Sequence, residues 1–276
     1  VKYPPLSGWS LDDRDPETIK NWLKQAQWFH DHYFQAESEG WENLSANEAA
    51  LVVGSHNGGL ATPDMMMTLY EWFCRFGTEK PAYGLMHPHV WKAYTPLAQI
   101  ASKLGAIQAD PRIAIPALRR QAHVLVYPGG GKEVFRPYWE RDQVKFYGRK
   151  GFIKLALREN VPIVPLVSWG AHETLIVLAD IYEPMKAFLE TFNLPWLFNL
   201  DPEVFPIYLG LPWGIAIGPL INFPLPAKIH LRIGEPIIFE HYGRKAAQDL
   251  AYVDHCYQLV LNQMQSQLDQ LIAEVK

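Results

Sequence analysis

Hydrophobic positions along the chain recur with two different periods. Short apolar runs bounded by glycine, proline or polar residues lie at Leu51–Val53, Ala82–Met86, Leu104–Ala109, His123–Tyr127, Pro162–Ser168 and Ile229–Ile233 and read as buried strands. Between them the period lengthens to that of a helix, as in Tyr94–Lys103 and Gly151–Arg158. Strands alternating with helices predict an α/β fold, a mostly parallel central sheet flanked by helices. Asp15, Pro16 and Glu17 supply a cap, a first-turn proline and an acidic first turn, and Ile19, Trp22, Leu23, Ala26, Phe29 and Tyr33 follow at helical spacing, so residues 1–50 read as an N-terminal helical segment. Trp9, Trp28 and Trp41 add aromatic surface there that a membrane interface can use. A last helix begins near Ala246 and repeats Leu250, Val253, Tyr257, Val260, Met264, Leu268 and Leu271. Residues 51–276 read as the main domain, with no low-complexity linker or internal repeat before it.

Two strand ends depart from plain turn chemistry. After Leu51–Val53 the chain breaks at Gly54, passes through Ser55-His56-Asn57-Gly58-Gly59 and enters a helix with Thr62 as cap, Pro63 at its first position and Gly77 past its end. A histidine is thus set at the carboxyl end of a strand, where open α/β sheets keep reactive groups, and the glycines allow close backbone approach to a ligand. Asp64 falls in the first turn of that helix, where the dipole favours a carboxylate. After His123–Tyr127 come Pro128, Gly129, Gly130, Gly131, Lys132 and Glu133, gathering backbone N–H groups and a cation, as in a phosphate nest or an oxyanion hole. It is not a P-loop, because Val126 stands at the required glycine and Glu133 at the magnesium-binding hydroxyl.

Net charge is −4 with no run of lysine or arginine, which argues against a nucleic-acid partner. Cys74 and Cys256 are too far apart for a metal motif; they fit a reducing compartment, with Cys74 expected in the core. No signal-peptide pattern opens the chain and it begins without Met, so a trimmed start is expected.

Four ordered blocks resemble the glycerolipid acyltransferases, near the branch of the diacylglycerol acyltransferases and the bacterial and plastid ester synthases. Ser55–Gly59 through Asp64 resembles the histidine block, usually H-x4-D; Leu104-Gly105-Ala106-Ile107 with Arg112 resembles the second; Tyr127–Glu133 resembles the third, in its P-G-G-x-x-E form; and Val161–Pro165 resembles the fourth. The resemblance covers roughly residues 51–236 and implies a glycerol-3-phosphate acyltransferase-like fold. It further implies an O-acyltransferase with no cofactor, acyl-CoA or acyl carrier protein as co-substrate, and a lipid acceptor met at a membrane surface on the cytoplasmic or stromal side. Two departures matter. Asp64 lies eight residues after His56 rather than five, which makes Glu133 a rival partner for the histidine and the slightly preferred one. The third block has Lys132 in place of its arginine, which favours a neutral acceptor, such as diacylglycerol, a long-chain alcohol or a quinol, over lysophosphatidate.

Acyl transfer to a hydroxyl needs a base, a group that fixes its tautomer, and donors for the tetrahedral oxyanion. His56 fits the base and Asp64 or Glu133 the orienting carboxylate. The expected substrate-binding set is Asn57, Gly58, Gly59, Arg112, Gly129, Gly130, Gly131 and Lys132. No G-x-S-x-G elbow is present and neither cysteine adjoins a glycine turn, so direct transfer is expected rather than an acyl-enzyme. Two other readings stand beside this one: a lysophosphatidate acyltransferase using Arg112 and Lys132, and a non-catalytic lipid-binding protein of the same fold. His87-Pro88-His89 imitates the H-P-H-G signature of the diacylglycerol branch but follows the block already filled by His56, and a metal site there lacks a third ligand. Finally, residues 204–227 carry no charge. Five prolines and three glycines there would break a lipid-exposed helix, which predicts an interfacial hairpin or the wall of an acyl pocket, with Phe188, Phe192, Trp196, Leu197 and Phe198 as an apolar lip.

Overall fold

The structure, a computed structural model, describes residues 4–93, 95–196 and 201–276. Tyr94, Leu197, Phe198 and the side chain of His89, each named above, lie outside the described residues. The strands are β1 (Glu37–Glu39), β2 (Ala50–Gly54), β3 (Ala82–Met86), β4 (Ala106–Gln108), β5 (His123–Val126), β6 (Ile163–Trp169), β7 (Ile176–Asp180), β8 (Pro206–Gly210), β9 (Gly214–Ile217) and β10 (His230–Ile233). The helices are α1 (Pro16–Trp28), α2 (Pro63–Phe76), α3 (Pro88–Ala93), α4 (Thr95–Lys103), α5 (Pro111–Arg119), α6 (Gly130–Val134), α7 (Gly151–Glu159), α8 (Tyr182–Thr191), α9 (Arg244–Gln248) and α10 (Leu250–Val275).

The main sheet has the order β1-β10-β6-β2-β5-β3-β4, and only the β10–β6 pair is antiparallel. Its apolar runs are continuous because both faces are covered. Every residue of β2 is buried: Ala50 and Val52 pack with Ile19 of α1 and Trp72 and Phe73 of α2, while Leu51 and Val53 face the layer built from α5, α7 and α10. The helical segment predicted for residues 1–50 is helical only in part. Its α-helix ends at Trp28, the chain widens so that the Phe34 N–H reaches the Phe29 carbonyl at 2.7 Å, and β1 then joins the sheet edge beside β10. Trp41 is core rather than aromatic surface, and Trp28 is the exposed one. Cys74 is likewise exposed on α2, against the expectation that it is core, and Cys256 is buried.

β2 and β5 are neighbours in register, Leu51 opposite Val124, yet the chain leaves them in opposite directions. From β2 it passes through α2 on one face towards β3; from β5 it passes through α7 on the other face towards β6. Connections that part in this way open a crevice at the carboxyl ends of the two strands. The His56 elbow and the glycine loop flank it.

The charge-free segment supplies β8 and β9, which join β7 in a second sheet of three antiparallel strands, β7-β8-β9. Tyr208 and Ala216 of the β8–β9 hairpin turn inward onto Val134, Phe135 and Leu175, whereas Leu209, Ile215 and Ile217 point outward and are exposed. Among the described residues no helix is long and apolar enough to cross a membrane.

Candidate active site

Oδ2 of Asp64 lies 3.2 Å from Nδ1 of His56 and accepts the Asn57 main-chain N–H at 2.8 Å, while Oδ1 accepts the Met65 N–H at 2.8 Å. A carboxylate can only accept, so Nδ1 carries the ring proton and Nε2 keeps its lone pair. The eight-residue spacing has a simple cause. A three-residue 3-10 turn, Gly59–Ala61, takes up the three residues that separate this elbow from the shorter histidine block, and it returns Asp64 to the ring. Thr62 stands at the cap position but at φ 45° with no side-chain bond to the helix, so Asp64 satisfies the elbow instead.

The preference for Glu133 as the orienting carboxylate is corrected by this geometry. Glu133 is fully buried beneath the glycine loop, accepts the Lys145 N–H through Oε1 at 3.3 Å and faces the His56 main chain rather than making a bond to the ring. Burial pushes its carboxyl up to about 7, against the opposing pull of the Arg136 cation.

Arg136, which nothing in the motif reading singled out, organises the layer below. Its guanidinium is fully buried and has five acceptors: His56 O (2.9 Å), Glu133 O (3.1 Å), Glu140 O (3.1 Å), Asn57 Oδ1 (2.7 Å) and Arg141 O (3.4 Å). Five donors in one plane suit this task, and a lysine ammonium cannot replace them. A charged residue inside the apolar run Val134-Phe135-Arg136 was the sequence signal for it. Asn57 completes the layer by donating to Ser168 Oγ of β6 at 2.8 Å.

Three expected substrate contacts are therefore turned into the protein. The side chain of Asn57 is spent on Arg136 and Ser168, and a Cβ at Gly58 or Gly59 would strike Pro63 and Thr174, or Leu175 and Asn222. Those glycines, both at positive φ, let the elbow pack against the start of α2, the Thr174–Leu175 turn ahead of β7 and the Asn222 side chain. Arg112 sits after edge strand β4, bidentate to Asp110 at 3.0 and 2.9 Å and stacked over Trp9, an unsuitable state for gripping an acceptor phosphate. Lys132 is exposed on α6.

The glycine loop does lie beside the histidine. The Tyr127 ring stacks on the His56 ring with centroids 4.2 Å apart and planes at 20°, and it fits only because Gly54 has no Cβ, which would lie 2.2 Å from the tyrosine. Burial holds the Tyr127 hydroxyl well above its ordinary value, so it stays a neutral phenol. Gly129 is right-handed and Gly130 left-handed at φ 56°, the backbone order of an anion nest; the Gly130 N–H is spent on the Tyr127 carbonyl at 3.2 Å, which leaves the N–H groups of Gly129 and Gly131 as its donors. Arg149 braces this nest, with Nη1 3.4 Å from the Pro128 and Gly129 carbonyls and Nη2 2.7 Å from Glu203. His87 lies 3.9 Å from the same Glu203, and no group of three or more metal-ligating side chains occurs among the described residues.

Comparison with known proteins places these features in context. A sequence profile described as diacylglycerol acyltransferase matches residues 12–269. An uncharacterized protein of Mycobacterium tuberculosis is 29% identical over 226 residues, covering 81% of this chain and 58% of that protein. The diacylglycerol O-acyltransferase 1 of Eremothecium gossypii is 23% identical over 167 residues, covering 60% of this chain and 34% of its own length. The chain thus spans about 58% or less of the length of these curated relatives. Among solved structures, the 1-acyl-sn-glycerophosphate (LPA) acyltransferase PlsC of Thermotoga maritima aligns with a TM-score of 0.47 at 17% identity, covering 91% of this chain and 84% of that one.

Proposed function

The chain belongs to the diacylglycerol acyltransferase family, and from that premise we propose that it moves a fatty acyl group from an acyl thioester to the hydroxyl of a lipid-like, uncharged acceptor. The observation that supports this most is the His56–Asp64 pair beside the glycine nest, a base of defined tautomer next to donors for an oxyanion. Nε2 of His56 takes the acceptor hydroxyl proton as its oxygen attacks the thioester carbonyl. Negative charge collects on the carbonyl oxygen, which the nest amides stabilise. Collapse breaks the carbon–sulfur bond, and the departing thiolate takes the proton back from the imidazolium. Asp64 stabilises that imidazolium while it lasts.

An uncharged acceptor is favoured because two of the cations that could hold a phosphate are committed, Arg112 bidentate to Asp110 and Arg149 paired with Glu203, which leaves Lys132, exposed on α6, as a single point charge. A water-insoluble acceptor must come from a bilayer, and the β8–β9 hairpin suits peripheral insertion. Trp213, Ile215 and Ile217 on it are 55%, 72% and 53% exposed, an apolar patch that water does not favour.

Labelled acyl-CoA or acyl carrier protein supplied with equal diacylglycerol and lysophosphatidate, followed by mass spectrometry of the lipids, tests the proposal. Triacylglycerol or another neutral ester is the expected product. Exclusive acylation of lysophosphatidate would reverse the acceptor class, and no acylated lipid from any thioester would leave only a lipid-binding role.

A further inference from the structure

Residues 219–226 form a strap between β9 and β10 that crosses the His56 elbow, and its side chains part in two directions. Leu220, Ile221 and Phe223 are exposed, whereas Asn222 among them is only 4% exposed. The strap is fastened on both sides. The Phe223 N–H donates to the Leu211 carbonyl at 2.8 Å and the Trp213 indole N–H donates to the Ile221 carbonyl at 2.8 Å, which ties the strap to the β8–β9 hairpin. Further on, the Tyr33 hydroxyl donates to the Pro224 carbonyl at 2.8 Å and the Leu225 N–H donates to the Thr174 carbonyl at 2.9 Å. Through these bonds the outward side chains of the strap extend the apolar patch of Trp213, Ile215 and Ile217.

Asn222 turns the other way, onto the elbow. Its Nδ2 donates to the Gly58 carbonyl and its Oδ1 accepts the Ala61 N–H, each at 3.4 Å, and Oδ1 lies so close to Gly59 that a Cβ there would come within 2.8 Å of it. One side chain thus spans the Gly59–Ala61 turn, the turn that returns Asp64 to the His56 ring. A carbonyl only accepts and a main-chain N–H only donates, so the elbow asks for both ends of a primary amide; a carboxylate lacks the donor and an apolar side chain lacks both. Both bonds exceed the usual limit of about 3.2 Å, so the clasp is loose and has room to tighten. An ordered strap offers its apolar side chains to one surface and a frayed strap does not, so a bilayer binds the ordered form better and shifts the population towards it.

We propose that Asn222 is a positioning residue that couples a lipid surface to the reacting centre: when the 219–226 strap seats on a bilayer, Asn222 closes on the Gly59–Ala61 turn and holds Asp64 against His56. The inference rests on the acyl-transfer and membrane readings and adds to them a way for the surface that supplies the acceptor to order the base. It also gives one task to two features of the strap, its outward apolar side chains and the single buried amide among them.

The test uses the whole chain and phosphatidylcholine vesicles that contain no acceptor. Amide hydrogen exchange across residues 57–65 should slow at least about fivefold when wild type is bound to the vesicles. On the same addition, kcat for a short soluble acceptor should rise about threefold or more, with little change in KM. N222A should co-sediment with the vesicles as wild type does, yet show neither the slowed exchange nor the rise in kcat. Unchanged exchange at residues 57–65 in vesicle-bound wild type overturns the proposal, and so does a failure of wild type to co-sediment at all. Slowing and stimulation of wild-type size in N222A also overturn it, since they would leave Asn222 a merely structural residue. The wild-type exchange measurement decides the matter by itself if N222A fails to fold. If exchange responds as expected but no thioester supports transfer, the coupling stands and the acyl-transfer reading falls.

Discussion

One carboxylate oxygen of Asp64 serves both the Asn57 main chain, at 2.8 Å, and the ring of His56, at 3.2 Å. The elbow and the imidazole are therefore fixed by the same atom, and Arg136 locks the elbow from beneath through the His56 carbonyl and the Asn57 amide. Loss of Asp64 frees the ring and leaves a buried N–H without its acceptor.

This arrangement ranks three substitutions. His56→Ala should lower turnover at least about 10²-fold with a shift of only a few degrees in thermal midpoint, because it removes the base but little packing. Asp64→Asn should approach the same loss, since an amide can present a donor to Nδ1 and reverse the tautomer. Glu133→Gln should cost less turnover than Asp64→Asn and show more in thermal midpoint, because it disturbs a buried pair with Arg136. Steady-state kinetics and melting curves on the three variants would settle the order, and a larger kinetic loss in Glu133→Gln than in Asp64→Asn would return Glu133 to the ring.

Two glycines should differ sharply although each lies in a conspicuous motif. A methyl at Gly54 meets the Tyr127 ring at 2.2 Å, so Gly54→Ala must displace the ring that stacks on His56 and should reduce turnover at least about tenfold. At Gly131 the nearest atom is Val204 Cγ2 at an ordinary 3.8 Å, within a helical turn that favours alanine, so Gly131→Ala should be neutral or slightly stabilising. Comparable losses in both variants would mean that the loop glycines act by contact with substrate.

Acid should destabilise the fold through His123. Its ring accepts the Trp72 indole N–H at 3.0 Å and reaches the Ser45 carbonyl at 2.9 Å, and burial pushes its pKa down to about 4. The unfolded chain binds the proton near pH 6.5, so this stability is complete above that value and is lost as pH falls from there towards 4, by up to about 3 kcal/mol. Urea unfolding of wild type and His123→Gln at pH 7 and pH 5 should show a steeper acid loss in wild type. Parallel slopes would remove His123 from the account.

Membrane attachment should depend on Trp213 and Ile215 and not on Trp196. Trp196 stacks flat on Tyr182 and packs on Phe205, so it belongs to the local fold, and Trp196→Ser should lower the thermal midpoint. Trp213 and Ile215 stand out from the hairpin, and burying two such side chains in the headgroup region contributes about 3–6 kcal/mol. Replacing both with serine should abolish co-sedimentation with liposomes and slow turnover on vesicles while sparing a short soluble acceptor. Undiminished liposome binding would place the membrane contact elsewhere.

The strands of the main sheet from β2 to β6 and the helices α2, α4 and α7 among them are legible in the sequence because periodicity is a local property: a strand buried on both faces reads as an unbroken apolar run, as Leu51–Val53 does. Chain order likewise marks His56 and the glycine loop at strand ends, and four blocks in order identify the family. Isolated edge strand β1 and the outward-facing β7–β9 sheet are weaker local patterns that acquire meaning only from their partners β10 and α6. Which carboxylate meets the imidazole was decided by the path of the Gly59–Ala61 turn. That Gly54 exists for Tyr127, Gly58 for Thr174, Gly59 for Leu175 and Asn222, and Asn57 for Arg136 was decided by contacts between residues far apart in the chain. A motif specifies which groups are present, and only packing determines which of them share an atom, because burial and hydrogen-bond geometry depend on neighbours that the linear order does not bring together.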